Sequence, residues 1–145
     1  EGSQAKGVSV LRDFFDALDV PEESVRAFDG SGLAPATRTT GETILALFAY
    51  VDQQSWRDTF WNALPESKVD GTLKHRFEQA DLQNPVIAKT GTHEFSSSLS
   101  GKIIRDGPDI VFSVHIYNHP FETSESVLFI IPKIDTIVAS LDKQF

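Results

Sequence analysis

Apolar positions recur with helical period in the first half of the chain and with strand period later. Between Gln4 and Leu18 they fall at Val8, Leu11, Phe14, Phe15 and Leu18. That spacing predicts an amphipathic helix with one face turned to a core, stopped by Pro21. Ser24 to Phe28 reads as a short strand, and Asp29-Gly30-Ser31-Gly32 as a turn. Thr39 or Thr40 is placed to cap a second helix carrying Ile44, Leu45, Leu47, Phe48 and Val51. Trp56, Phe60, Trp61 and Leu64 predict a further short helix closed by Pro65, and Leu73 to Ala80 another turn or two. The two tryptophans are expected to pack or to lie near a surface groove, and are assigned no chemistry.

After Pro85 the period changes. Val86 to Thr92 is strand-like, and Ser97 to Arg105 alternates with Leu99, Gly101 and Ile103 on one side. Asp106-Gly107-Pro108 is a turn signal. Ile110, Phe112, Val114 and Ile116 then alternate with Val111, Ser113, His115 and Tyr117, the pattern of a half-buried antiparallel strand. From Ser126 to Phe145 helical spacing returns at Ile130, Ile134, Ile137, Val138 and Leu141, with Pro132 starting or kinking the helix. Helices, then a strand meander, then a helix predict an α+β fold, an antiparallel sheet covered by helices.

A length of 145 residues leaves room for one domain with a sizeable core. The net charge of −8 opposes a nucleic-acid partner, which needs a basic footprint. No cysteine is present, which excludes disulfide scaffolds, zinc ribbons and a cysteine nucleophile. No stretch approaches the ~18 apolar residues of a membrane span. The chain opens at Glu1 and contains no Met, so a processed product, an engineered piece or a proteolytic fragment is expected, with any signal peptide already removed.

The chemistry concentrates at Lys89-Thr90-Gly91-Thr92, at the end of one predicted strand and just before the next. Lys-Thr-Gly is one of three motifs of β-lactamases and penicillin-binding proteins, and alone it is a weak signal. Lys89 offers a positive charge and Thr90 a hydroxyl, which together suit a substrate carboxylate or a moving proton. Gly91 would let a peptide lie against the strand edge, and the Thr92 amide would point at the reacting carbonyl. Lys89, Lys102 and Arg105 face only Glu94 between Val86 and Arg105, a local basic excess in an acidic chain. The plain alternative for Lys89 is an edge-strand lysine that guards against aggregation.

Longer stretches agree in order and spacing: F-D-G-S-G-L at Phe28–Leu33, V-D-G-T-L-K-H-R-F at Val69–Phe77, A-K-T-G-T at Ala88–Thr92, S-S-L-S-G-K-I at Ser97–Ile103, and F-S-V at Phe112–Val114 with Asn118 close behind. From Val25 to Asn118 the chain resembles the C-terminal part of the serine D-alanyl-D-alanine carboxypeptidase/endopeptidase family, the class C low-molecular-mass penicillin-binding proteins. The resemblance implies a partial transpeptidase fold, with residues 1–145 the C-terminal portion of that domain. It implies that Lys89 and the Thr92 amide are catalytic, with Thr92 joining the oxyanion hole. Thr90 would bind the terminal carboxylate of a peptidoglycan peptide or a β-lactam, beside Gly91. Asp29, Gly30 and Asp70 to Leu73 would support the site. Ala34 and Thr37 depart from the family's usual Ser and Asn. His93 lies near enough to touch substrate, although a surface histidine is its plain reading.

The family's Ser-x-x-Lys nucleophile motif and its Ser-x-Asn motif belong upstream of the matched region. No Ser-x-Asn occurs, and the Ser-x-x-Lys matches at Ser3–Lys6 and Ser140–Lys143 do not lie where the nucleophile would. An upstream part of the same protein, as a second chain or a lost segment, is therefore the expected partner, and this chain is expected to be inert alone. The resemblance implies an extracytoplasmic, periplasmic setting and no cofactor. His115 and His119, on a strand and at its end, share no helical face for a metal. The alternatives are a non-catalytic module that captures a peptide carboxylate, and a stand-alone esterase using Ser3.

Overall fold

The computed structural model describes residues 2–144, which divide into two compact units, residues 2–54 and 55–144. In the first unit, α1 (Gln4–Asp16) is N-capped by the Ser3 hydroxyl. Its predicted apolar face is half-buried rather than buried, and Phe14 packs edge-on against Phe15 and Tyr50. β1 (Val25–Arg26) pairs antiparallel with β2 (Arg38–Thr39). Thr40 accepts from the Thr43 N–H and caps α2 (Gly41–Asp52), which buries Thr43, Phe48 and Val51.

Asp29 organises the connection from β1 to β2. Its carboxylate accepts from the Ser31 and Thr37 hydroxyls and from the Leu33 and Ala34 N–H groups. Thr37 also accepts from the Phe28 N–H at 3.2 Å, so the residue that departs from the family pattern is part of the loop's own hydrogen bonding.

The second unit opens with α3 (Arg57–Asn62), which buries Trp61 and leaves Trp56 exposed. Its sheet is a three-stranded antiparallel meander of β3 (Val86–His93), β4 (Ser96–Ile103) and β5 (Ile110–Tyr117). The pairing Ala88↔Gly101↔Phe112 sets the register of both ladders. It puts Val86, Ala88, Leu99, Ile103 and Phe112 on one face, in the core. The other face carries Lys89, Ser100 and Ser113 in one row and Gly91, Ser98 and His115 in the next. Gly101 is required by this packing, because a Cβ there would lie 2.0 Å from the Ile87 carbonyl oxygen.

The predicted C-terminal helix is two helices, α4 (Thr123–Phe129) and α5 (Ile131–Gln144). A capping box between Glu122 and Glu125 starts α4 ahead of the predicted point, and Pro132 sits in the first turn of α5, where its missing N–H costs nothing. α5 buries Ile134, Val138 and Ala139, and packs on β4 and β5. The antiparallel sheet covered by helices is thus the observed architecture.

The helix predicted over Leu73 to Ala80 does not form. A 3-10 turn at Gly71–Leu73 is followed by turns, and Phe77 takes the left-handed backbone conformation at φ 62°. That conformation costs a non-glycine residue energy. Here it goes with a buried Phe77 ring and with a Phe77 N–H that donates to Asp135 at 3.1 Å.

Candidate active site

Half of the outer edge of β3 is covered and half is open. The Ser67 N–H donates to the Val86 carbonyl at 2.8 Å, the Val86 N–H donates to the Ser67 hydroxyl at 3.0 Å, and the Ala88 N–H donates to the Pro65 carbonyl at 3.1 Å. Peptide groups alternate along a strand, so the N–H and C=O groups of Thr90 and Thr92 point to that same outer side. No backbone group among the described residues pairs with them there. An extended peptide can add to this half-edge.

Alternation also separates the motif's side chains. Thr90 and Thr92 lie on the core side of the sheet, with Lys89, Gly91 and His93 on the other. Lys89 is exposed, and its chain bends to the edge, where Nζ donates to the Thr90 carbonyl at 2.6 Å. The ammonium therefore lies at the Thr90 carbonyl, on the same edge toward which the Thr92 N–H points, while the Lys89 and Thr90 side chains do not share a face. The Thr90 hydroxyl donates to the Thr72 hydroxyl at 3.0 Å. Asp70 holds the turn that carries Thr72 by accepting from the Glu66 N–H at 2.8 Å.

A Cβ at Gly91 would lie 2.5 Å from the Ser98 hydroxyl oxygen, a side-chain end that can turn away. One sequence expectation changes. The basic excess around Lys89 is smaller than counted. Lys102 pairs with Asp109 at 2.8 Å and lies 4.9 Å from the centroid of the Trp61 ring, and Asp109 falls just outside the sequence window. His93 is half-buried and pairs with Ser96 at the hairpin end.

Sequence reasoning missed two features. On the Lys89 face, Ser113 lies 2.9 Å from His115 Nε2, and His115 Nδ1 lies 3.0 Å from the Tyr117 hydroxyl. Burial pushes His115 below the ordinary histidine value. The strand's period of two was the available signal, because it aligns residues 113, 115 and 117. On the core side, a groove of about 650 Å³ runs beneath β3, lined by Thr72, Arg76, Thr90, Thr92, Val127 and Ile131 among others. Nothing local in the sequence announces it.

Residues 1–137 match the D-Ala-D-Ala carboxypeptidase 3 (S13) family. The chain belongs to that family. It is 28% identical over 118 residues to a D-alanyl-D-alanine carboxypeptidase of Actinomadura sp. (strain R39), covering 78% of this chain and 22% of that protein. It is 29% identical over 134 residues to penicillin-sensitive carboxypeptidase A of Dictyostelium discoideum, covering 87% and 25%. The fold is that of penicillin-binding protein 4 from Haemophilus influenzae, solved with a β-lactam, at a TM-score of 0.79 and 20% identity over 99% of this chain and 34% of that one. A second structure of the same protein gives a TM-score of 0.75, 20% identity and coverage of 96% and 32%. The S13 chain thus spans about a quarter of the curated relatives it matches. No helix among its described residues is long and apolar enough to cross a membrane.

Proposed function

We propose that this chain supplies the Lys-Thr-Gly strand of a cell-wall serine D-Ala-D-Ala carboxypeptidase/endopeptidase that works outside the cytoplasm. The supporting observation is the open half-edge of β3, with the Lys89 ammonium at the Thr90 carbonyl and the Thr92 N–H turned outward. A peptidoglycan stem peptide runs antiparallel along this edge. Its scissile residue lies opposite Thr92, whose N–H donates to the carbonyl oxygen as negative charge develops. The terminal carboxylate falls near the Thr90 hydroxyl and the Lys89 ammonium. Gly91 keeps the neighbouring backbone clear of a side chain.

The nucleophilic serine and its activating lysine come from an upstream part of the protein, as does the Ser-x-Asn motif. Attack forms an acyl-serine and expels the terminal residue, and water then hydrolyses the ester. A β-lactam takes the same position and traps the acyl state. Lys89 and Thr92 are the catalytic groups of this chain, with Thr90, Gly91 and His93 on the substrate side.

A fluorescent penicillin tests this. It labels the longer polypeptide on its upstream segment and leaves the isolated 145-residue chain unlabelled. Labelling of the isolated chain overturns the reading. Peptide binding with no label and no turnover in the longer polypeptide indicates a non-catalytic capture module instead.

A further inference from the structure

The turn that ends β3 opens onto an aromatic ridge. Phe95 stands at the tip of the β3–β4 hairpin, exposed and in the left-handed backbone conformation at φ 59°. Its N–H donates to the Phe121 carbonyl at 3.2 Å. The Phe121 ring in turn stacks on Phe129 of α4, with centroids 5.0 Å apart and an interplanar angle of 26°. Val127 and Leu128 continue the apolar surface along α4.

Area and charge limit what this ridge can take. Phe95, Val127, Leu128 and Phe129 are 47, 53, 69 and 49% exposed. Together they present roughly 400 Å² of apolar surface, the size of a functional patch. That is about half of the ~800 Å² each partner buries in a standard protein interface, too little for a stable dimer. Glu94, Glu122 and Glu125 flank these residues along the chain, against a single lysine, Lys133. Such a rim repels an anionic lipid surface. Stacked rings beside carboxylates suit an uncharged ligand with apolar C–H faces and polar edges. An N-acetylated sugar has that chemistry: its pyranose C–H groups lie on the rings, and its hydroxyl and amide N–H groups donate to a carboxylate.

The direction of the open edge brings such a group here. A peptide antiparallel to β3, with its scissile residue opposite Thr92 and its carboxylate near Thr90, runs its N-terminal part past His93 and off the hairpin end. Phe95 lies three positions beyond Thr92. A peptidoglycan stem peptide is joined to its glycan through its N-terminus, about three residues before the scissile one, or roughly 10 Å of extended chain. The first sugar therefore arrives at the level of the hairpin tip.

From this we infer that the ridge formed by Phe95, Phe121 and Phe129 is a glycan-docking platform, which stacks on the N-acetylhexosamine that carries the stem peptide. The inference rests on the peptidase reading above and extends the bound substrate from peptide to saccharide.

The test compares two substrates of the longer polypeptide: the stem peptide with an acetylated N-terminus, and the same peptide carrying its N-acetylhexosamine disaccharide. The saccharide is expected to lower KM by roughly five- to tenfold at unchanged kcat, the effect of one stacking contact made equally in ground and transition states. Phe95→Asn removes the ring and keeps a residue that tolerates the left-handed conformation. Phe129→Ala removes the second ring from an exposed position on α4. Each variant erases most of the saccharide's advantage and leaves the bare peptide's KM and penicillin labelling unchanged. Equal KM values for the two substrates, or an advantage that survives both substitutions, overturn the platform alone. A dimer in sedimentation that Phe129→Ala dissolves, with the two KM values equal, assigns the ridge to a second copy and likewise overturns it. Absence of both labelling and hydrolysis overturns the peptidase reading and the platform with it.

Discussion

Arg76 and Asp135 stand 59 positions apart and form a buried, multiply bonded ion pair that fastens the turn before β3 to α5. The Phe77 N–H donates to the same carboxylate. The segment carrying Thr72 therefore reaches the sheet with both its ends tied, one by this pair and one by the bonds of Pro65 and Ser67 to β3.

Removing one partner should cost far more than the pair itself contributes. Asp135→Ala leaves a buried guanidinium and the Phe77 N–H without their acceptor. Such a loss destabilises by about 3–5 kcal/mol. Urea unfolding of the variant, followed by tryptophan fluorescence, should show the midpoint falling accordingly, and a midpoint within error of the parent would contradict this account.

Glycine is required at 101 for a reason of contact. The added methyl of Gly101→Ala meets the Ile87 carbonyl and the Ala88 Cα, the latter at 2.5 Å, so β3 and β4 must separate. Overpacking of this kind costs about 1–3 kcal/mol or more. Gly107→Ala, with nothing within 4 Å, serves as the control and should unfold like the parent.

Asp29 sets an acid limit on its loop. The Ser31 hydroxyl, with the Thr37 hydroxyl and the Ala34 and Leu33 amides, holds its carboxyl down to about 2 from an ordinary 3.8. A depressed folded value means that the ionised form is favoured in the folded loop. Its contribution is fully present above 3.8 and is lost as pH falls through about 2. Carboxyl NMR should show that midpoint, and exchange of the Leu33 and Ala34 amides should rise across the same window. An ordinary midpoint would contradict the hydrogen-bonded loop.

Lys89 separates function from stability. Its side chain is exposed, and among the described residues its ammonium donates to the Thr90 carbonyl. Lys89→Ala should therefore change stability by less than about 0.5 kcal/mol. In the longer polypeptide it should slow penicillin acylation by roughly 10²–10⁴-fold, the scale of a lost proton-handling group. Unchanged acylation would leave Lys89 as an ordinary edge lysine.

The strands were legible because period two is a local property. Ile110 to Tyr117 and Val86 to His93 show it directly, and the Thr40 cap and the Lys89-Thr90-Gly91 motif needed no partner to be recognised. The same alternation already implied that Lys89 and Thr90 face opposite ways, although shared chemistry had suggested that they act side by side.

By itself, then, the sequence determined the α+β class, the strand faces, the family and the place of the Lys-Thr-Gly motif on β3, all of which follow from residue types and their spacing along the chain. Tertiary structure decided which half of that edge stays open, because Pro65 and Ser67 are bonded to Val86 and Ala88 from outside the strand. It also decided that residues 73–80 turn instead of forming a helix, and that Arg76 is tied to Asp135 inside the fold. Those outcomes depend on a carboxylate 59 residues away, and burial favours the conformation that satisfies it over the one that local period prefers.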